Sequence, residues 1–469
     1  MVNAITPDGV GTLQYRRVDK VTHHGIIAAG FIACAMVLGG GGSPDPTNEL
    51  VVQLLFAVAV AAWIWTARND GASVARPIVW LGAALLLLPV VQLVPLPPGI
   101  WHALPERALV SDTLALVGQT DSWRPISISP PLTLAGLLAV VPAVGTMWAV
   151  ATLGSADRAL VIGMIAVLAV AGAILGAAQL ASGPEALRLY ERSHRGWLTA
   201  FHANRNAAAD VLIIGSLALS SWASLRITAD RSRPKHVVML LAVQFVLLAA
   251  LVMTGSRAGI ALGVLSLLVQ FAIWQPRLSD LRTGGAAAGI GVILLTLLAV
   301  PVLLSGTTRI SQVMDRFDAR DDARLGLWQD AWQATMAHWP IGSGTGTFAN
   351  AFQPFESLAN LDGAFVNRAH NDYMEFALEG GILAVAVLAI GAVLVVASAR
   401  KTWRVSPQDH AAHLFAVGTL GVVALHSVVD YPLRNMAIAC LAGAAAGLLT
   451  ATPCRSPKRT GHEGRDNAL

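Results

Sequence analysis

The chain has 469 residues, 55% of them hydrophobic and only 13% charged, with a net charge of +4. A soluble domain of this length carries about 25% charged residues, so a globular enzyme with a single anchor is excluded. The basic residues are scattered over many short segments rather than gathered on one face, which points to membrane orientation and away from nucleic acid.

Apolar runs of about 17–25 residues recur, each long enough to cross ~30 Å of hydrocarbon. They predict an all-α polytopic membrane protein, a single integral membrane domain over 1–469 with about 12 transmembrane helices. Spans are expected near 25–41, 50–67, 77–95, 132–153, 159–181, 207–225, 237–254, 258–275, 286–305, 374–399, 411–430 and 436–452. The first run follows Arg16, Arg17 and Lys20 as a signal peptide would, but it ends in GGGG and SPDP without an A-x-A-like site. It reads as a retained helix. The three cysteines, Cys34, Cys440 and Cys454, have no metal-binding spacing and form no disulfide framework.

An even number of spans puts both termini on one side. Short segments bearing Arg68, Arg76, Arg158, Arg400 and Lys401 make that side cytoplasmic. Three longer loops then face outward, at about 96–131, 182–206 and 306–373. The first, with VPLPPGIWHALP, is expected to pack as an irregular cap. The third, the largest, contains ARLGLWQDAWQATMAHW at 323–339, with apolar residues at Leu325, Trp328, Trp332, Met336 and Trp339. Steps of three and four predict an amphipathic helix. Its tryptophans suit either the bilayer interface or core packing.

The unusual polar residues fall on the outer side. Asn204, Arg205 and Asn206 (FHANRNAAAD) close the second loop, and Arg257 lies in the short TGSRAG turn. Arg320, Arg324, Arg368 and His370 belong to the third loop, and Asp430 and Arg434 (VVDYPLRN) to the turn before the last span. A charge at the edge of hydrocarbon costs several kcal/mol unless it is paired. Arg257 is therefore either a snorkelling anchor or an anion site, where its planar fork suits phosphate oxygens.

His370 opens the stretch AHNDYMEFALEGG at 369–381. It is either a satisfied hydrogen-bonding group or a proton carrier near neutral pH, with Asp372 or Glu375 to orient it. Asn371 also suits a helix N-cap. GSGTGTF at 342–348 reads as an anion nest or as a Gly-rich turn after a helix. The paired aspartates of DARDDAR (318–324) lack an accompanying histidine and read as a solvated face rather than a metal site. Asp430 and Arg434 are expected to form a structural ion pair, with His426 one turn inside the helix as a further member.

FHANRNAAAD, TGSRAG, the start of the large loop (RLGLWQDAWQ…PIGSGTGTF), AHNDYMEFALEGG and VDYPLR occur in an order that resembles the O-antigen ligase and O-antigen polymerase superfamily. The resemblance covers about 196–435; the earlier spans are similar mainly in topology. It implies a GT-C-type membrane glycosyltransferase of the bacterial inner membrane. Such an enzyme is inverting, needs neither metal nor nucleotide sugar, and acts at the periplasmic face on a glycan carried by undecaprenyl diphosphate. The implied acceptor is lipid A core for a ligase or another lipid-linked repeat for a polymerase. By the same resemblance Arg257 and Arg324 bind the diphosphate and His370 assists the acceptor. Asn204, Arg205, Asn206, Arg320, Arg368, Asn371, Asp372 and Tyr373 line the substrate site. No second histidine stands beside His370, whereas an H-x-H pattern marks some protein-glycosylating relatives.

Two other classes compete. A twelve-span transporter predicts internal repeats, broken helices and charge near the bilayer midplane. No repeat between the halves is evident and the charges lie at the outer boundary, although Gly380–Gly381 interrupts a span. A non-catalytic scaffold for glycan assembly is the third reading.

Overall fold

A computed structural model describes residues 20–41, 47–66, 75–226, 233–278, 324–358, 365–402 and 407–450. The expected span at 286–305, Arg320 and the DARDDAR aspartates lie outside the described residues.

Regular structure is almost wholly helical. The long helices are α1 (His23–Leu38), α2 (Thr47–Thr66) and α3 (Arg76–Leu93), then, beyond the loop at 94–129, α6 (Pro130–Thr152), α7 (Ser155–Ser182), α8 (Arg205–Arg226), α9 (Arg233–Met253) and α10 (Arg257–Leu278). That loop holds the short helices α4 (Pro98–Trp101) and α5 (Ala108–Leu116). They are bracketed by two-residue strands, Pro95–Leu96 and Arg124–Pro125, which pair antiparallel. The segment before α13 contains α11 (Arg324–Ala337) and α12 (Phe348–Phe352), and the chain continues through α13 (Asp372–Thr402), α14 (Pro407–His426) and α15 (Met436–Thr450). Among the described residues, seven helices are long and apolar enough to cross a membrane, and several shorter apolar helices accompany them.

Burial sorts these helices into centre and periphery. In α8, 89% of the span is buried inside the protein, against 6% for α2 and 6% for α13. Small residues make the central position possible: a Cβ at Gly215 would stand 2.0 Å from that of Ala169, so α7 and α8 are in backbone-close contact. Polar groups at mid-depth satisfy one another. Ser220 donates to Gln270 at 3.0 Å, and Gln270 donates in turn to Ser216 at 2.9 Å.

α11 forms over Arg324–Ala337, as its periodicity predicts, but its core face is not the tryptophan stripe. Leu327, Ala331 and Ala334 pack inward with Phe348 and Phe352. Leu325, Trp332, Met336 and Trp339 are exposed, while Trp328 donates to the Ala369 carbonyl at 3.0 Å. Alanines at steps of four and three supply the inner contact because they let the helix lie close.

The interruption in α13 has a local cause. Gly381 has φ 57°, and a Cβ there would lie 2.1 Å from the Pro340 carbonyl oxygen. Backbone carbonyls released at the break accept from the Gly-rich turn: Ser343 N donates to Leu378 O at 3.0 Å and Gly344 N to Glu379 O at 2.8 Å. Gln92 then ties Glu379 O to Thr345. GSGTGTF is thus a packing turn that docks the α11–α12 segment onto a broken helix.

Candidate active site

Three of the arginines singled out in the sequence are the first helical residues of their helices: Arg205 of α8, Arg257 of α10 and Arg324 of α11. A cation there opposes the helix dipole, a cost of about 0.3–1 kcal/mol each. Helix N-termini bind anions, so these positions combine two sources of positive potential. The helix starts themselves are conventional. Asn204 accepts from Asn206 N at 2.8 Å, and Ser256 accepts from Gly259 N at 3.1 Å.

The first turns of α8 and α10 touch. A Cβ at Gly259 would come within 2.6 Å of Ala209, and one at Gly255, where φ is 63°, within 2.3 Å of the Trp197 ring. Arg205 lays its guanidinium 5.1 Å from the centre of the same ring. Trp197 therefore joins the FHANRN and TGSRAG segments.

His370 stands apart from the helices in a φ of 50°, a conformation costly for a non-glycine residue. Its Nδ1 lies 3.0 Å from Asp430 Oδ1, and the pair differs sharply in exposure, 36% for the histidine side chain and 4% for the carboxylate. Asn206 donates to the other oxygen, Oδ2, at 2.6 Å. Burial alone would raise the Asp430 pKa, but the hydrogen bond and charge of His370, the charge of His426 and the Asn206 hydrogen bond hold it below the usual carboxylate range. An ionised carboxylate only accepts, so in this contact His370 Nδ1 is the donor and Nε2 is the ring atom left for a substrate. Tyr431 packs edge-on to His370, ring centres 4.9 Å apart, and receives a 3.3 Å hydrogen bond from Asn204. Burial, reinforced by the Asp430 charge, pushes the Tyr431 phenol up to about 12, so it stays neutral.

Neither Asp372 nor Glu375 orients His370. Asp372 is buried and accepts from Ser427 Oγ at 2.8 Å and Leu433 N at 3.1 Å. Glu375 accepts from Arg368 at 2.7 Å and from Ala369 N at 3.1 Å. The expected Asp430–Arg434 pair does not form either. Arg434 turns the other way, its Nε 3.2 Å from Glu375 and its Nη2 2.8 Å from Glu379. Burial would weaken its hold on the proton, yet the charges of Glu375, Glu379 and Asp372 raise its pKa. His426 pairs with Asp210 of α8, Nδ1 to Oδ1 2.6 Å, rather than with Asp430 or Arg434.

Asn371 caps α13 by accepting from Met374 N at 3.0 Å, and its amide donates to Val428 O at 2.9 Å. Tyr373 donates to Ala424 O at 2.8 Å. Both tie α13 to the end of α14. A narrow crevice beside Asp430 is lined by Asn204, Arg368, Tyr431 and Arg434 among others. Among the described residues no group of three or more His, Cys, Asp or Glu side chains could hold a metal ion.

The structure thus brings His370, Asn204, Asn206 and Arg368 together with a residue the sequence placed elsewhere, Asp430. Asp210 was not singled out at all. The available signal was an acidic residue alone in an apolar span, four residues after Asn206, which asks for a partner.

Fold and site define a polytopic membrane protein with a histidine–carboxylate pair close to arginine-headed helix ends. Residues 242–389, about a third of the chain, match the family model described as O-antigen ligase. The match includes Arg257, Arg324 and His370 and ends before Asp430. No curated protein matches the chain.

Proposed function

We propose that the protein transfers a glycan from undecaprenyl diphosphate to an acceptor hydroxyl at the periplasmic face of the inner membrane, with both termini cytoplasmic. The observation that carries this reading is the His370–Asp430 pair, half-open on the histidine side and closed on the carboxylate side. The acceptor O–H gives its proton to His370 Nε2 as its oxygen attacks the anomeric carbon. The bond from that carbon to the phosphate oxygen breaks on the opposite face, so the configuration inverts and undecaprenyl diphosphate leaves with the electron pair. Asp430 keeps the imidazole in one tautomer and stabilises the imidazolium that forms.

Arg257 and Arg324 stabilise the charge developing on the diphosphate, aided by the helix ends on which they sit. Arg205, Asn204 and Asn206 border that region, the asparagines also holding Tyr431 and Asp430. Arg368, Asn371, Asp372 and Tyr373 act as scaffold, since each is tied into α13 or the end of α14. The exposed stripe Leu325, Trp332, Met336 and Trp339 suits the bilayer surface, where the lipid carrier resides.

We favour lipid A core as acceptor over a lipid-linked repeat, following the family match. The test uses purified protein in lipid with an undecaprenyl-diphosphate oligosaccharide, the products being sized by gel and mass spectrometry. Transfer only when lipid A core is supplied is the expected result. A ladder from donor alone would make the protein a polymerase, and no new bond with either acceptor would overturn the reading.

A further inference from the structure

The buried pair His426–Asp210 has no part in the transfer step, yet it lies directly behind the residues that do. Asn206 and Asp210 are four apart on α8 and share a helix face. His426 ends α14, and Asp430 follows four residues later in the turn. The cross-links run as two rungs of one ladder. Asn206 donates to Asp430 at 2.6 Å in the upper rung, and His426 meets Asp210 at 2.6 Å in the lower. One chain continues directly into the other rung, because Asp430 N donates to the His426 carbonyl at 2.9 Å.

The lower rung is sealed, both side chains being 1% exposed, while the upper rung borders the crevice. A sealed polar pair contributes little stability compared with apolar side chains of the same volume, because both groups lose their water. Its best-attested use is to fix the register of the elements that carry it. Here those elements are the central helix and the turn from which Asp430 extends.

We propose that His426–Asp210 is a positioning pair for the transfer reaction. It locks α14 against α8 in the one register that sets Asp430 between Asn206 and His370. This rests on the reading of His370–Asp430 as the catalytic pair. A shift of one helical step at the lower rung would carry Asp430 away from His370 without touching the donor arginines.

The experiment is a double-mutant cycle on the transfer rate with purified, lipid-reconstituted protein: wild type, Asp210→Asn, Asp430→Asn and the double variant. Asp210→Asn alone is expected to lower kcat about tenfold, with KM for the undecaprenyl-diphosphate oligosaccharide unchanged. In the Asp430→Asn background the same change is expected to cost less than about twofold, since there is no carboxylate left to position. His426→Gln, which keeps a donor for Asp210, enters the same cycle and replaces Asp210→Asn if that variant does not fold. His426→Gln is expected to retain more activity than His426→Ala. Equal losses in both backgrounds, or a full rate for Asp210→Asn and His426→Gln, would overturn the proposal alone. A full rate for Asp430→Asn would overturn the catalytic reading and the proposal together.

Discussion

Two charged clusters share α13 and the 426–435 turn, and they are built to opposite ends. Around Arg434 the guanidinium meets three carboxylates, Asp372, Glu375 and Glu379, and Arg368 closes the group from outside. Glu375 and Glu379 are fully buried. Around His370 a single carboxylate is anchored from behind, and the imidazole remains half-open. Both clusters use the residue types expected of an active site. The difference between them is enclosure: a cluster whose charges meet one another inside the protein holds a fold together, and one whose imidazole stays open to solvent can move a proton.

That contrast breaks if the two clusters respond alike to mutation. The largest effect is expected from His370→Ala, which should lower transfer by about 10²–10⁴-fold, the usual worth of a general base. Its thermal unfolding in detergent should stay near that of the wild type. Arg434→Ala should do the reverse. It strands three carboxylates in a buried site, costs about 3–5 kcal/mol, and shows as a lowered unfolding midpoint or lost expression before any assay of transfer.

A third histidine sharpens the comparison. His202 is buried just ahead of Asn204, neither ring nitrogen has a hydrogen-bond partner, and burial lowers its pKa to about 4. The unfolded chain therefore binds the proton first, near pH ~6.5. Stability contributed by neutral His202 is present above that pH and is lost as pH falls toward about 4, by roughly 3 kcal/mol at most. Unfolding midpoints measured across this window should fall more steeply for the wild type than for His202→Leu. Gly381→Ala, which forces a side chain against the Pro340 carbonyl, should cost about 1–3 kcal/mol in the same assay. Asn371→Ala removes a helix cap and should cost about 1 kcal/mol, the smallest change here.

Much of the architecture was legible from chain composition. Apolar runs marked the helices, and the arginines that head α8, α10 and α11 could be named because charge at the edge of an apolar span is conspicuous. Asn371 could be read as a cap from local sequence alone. The pairings could not. Asp430 and Arg434 are four apart and of opposite sign, so the sequence favoured a local ion pair, but Arg434 is drawn to the carboxylates of α13 and Asp430 to His370. The period of the α11 stripe was legible but its side was not: interface and core both suited the tryptophans, and the alanines of the opposite face take the core because they let the helix lie closer than an indole would. His426 and Asp210 are 216 residues apart, and only the antiparallel contact of α8 with the end of α14 reveals why each stands in an apolar span.

The most direct measurement compares wild type and His370→Ala in the reconstituted transfer assay alongside binding of the undecaprenyl-diphosphate donor. Unchanged donor binding with transfer reduced at least about a hundredfold is the result expected of a base acting on the acceptor. Transfer at the wild-type rate by His370→Ala would contradict the account at its centre.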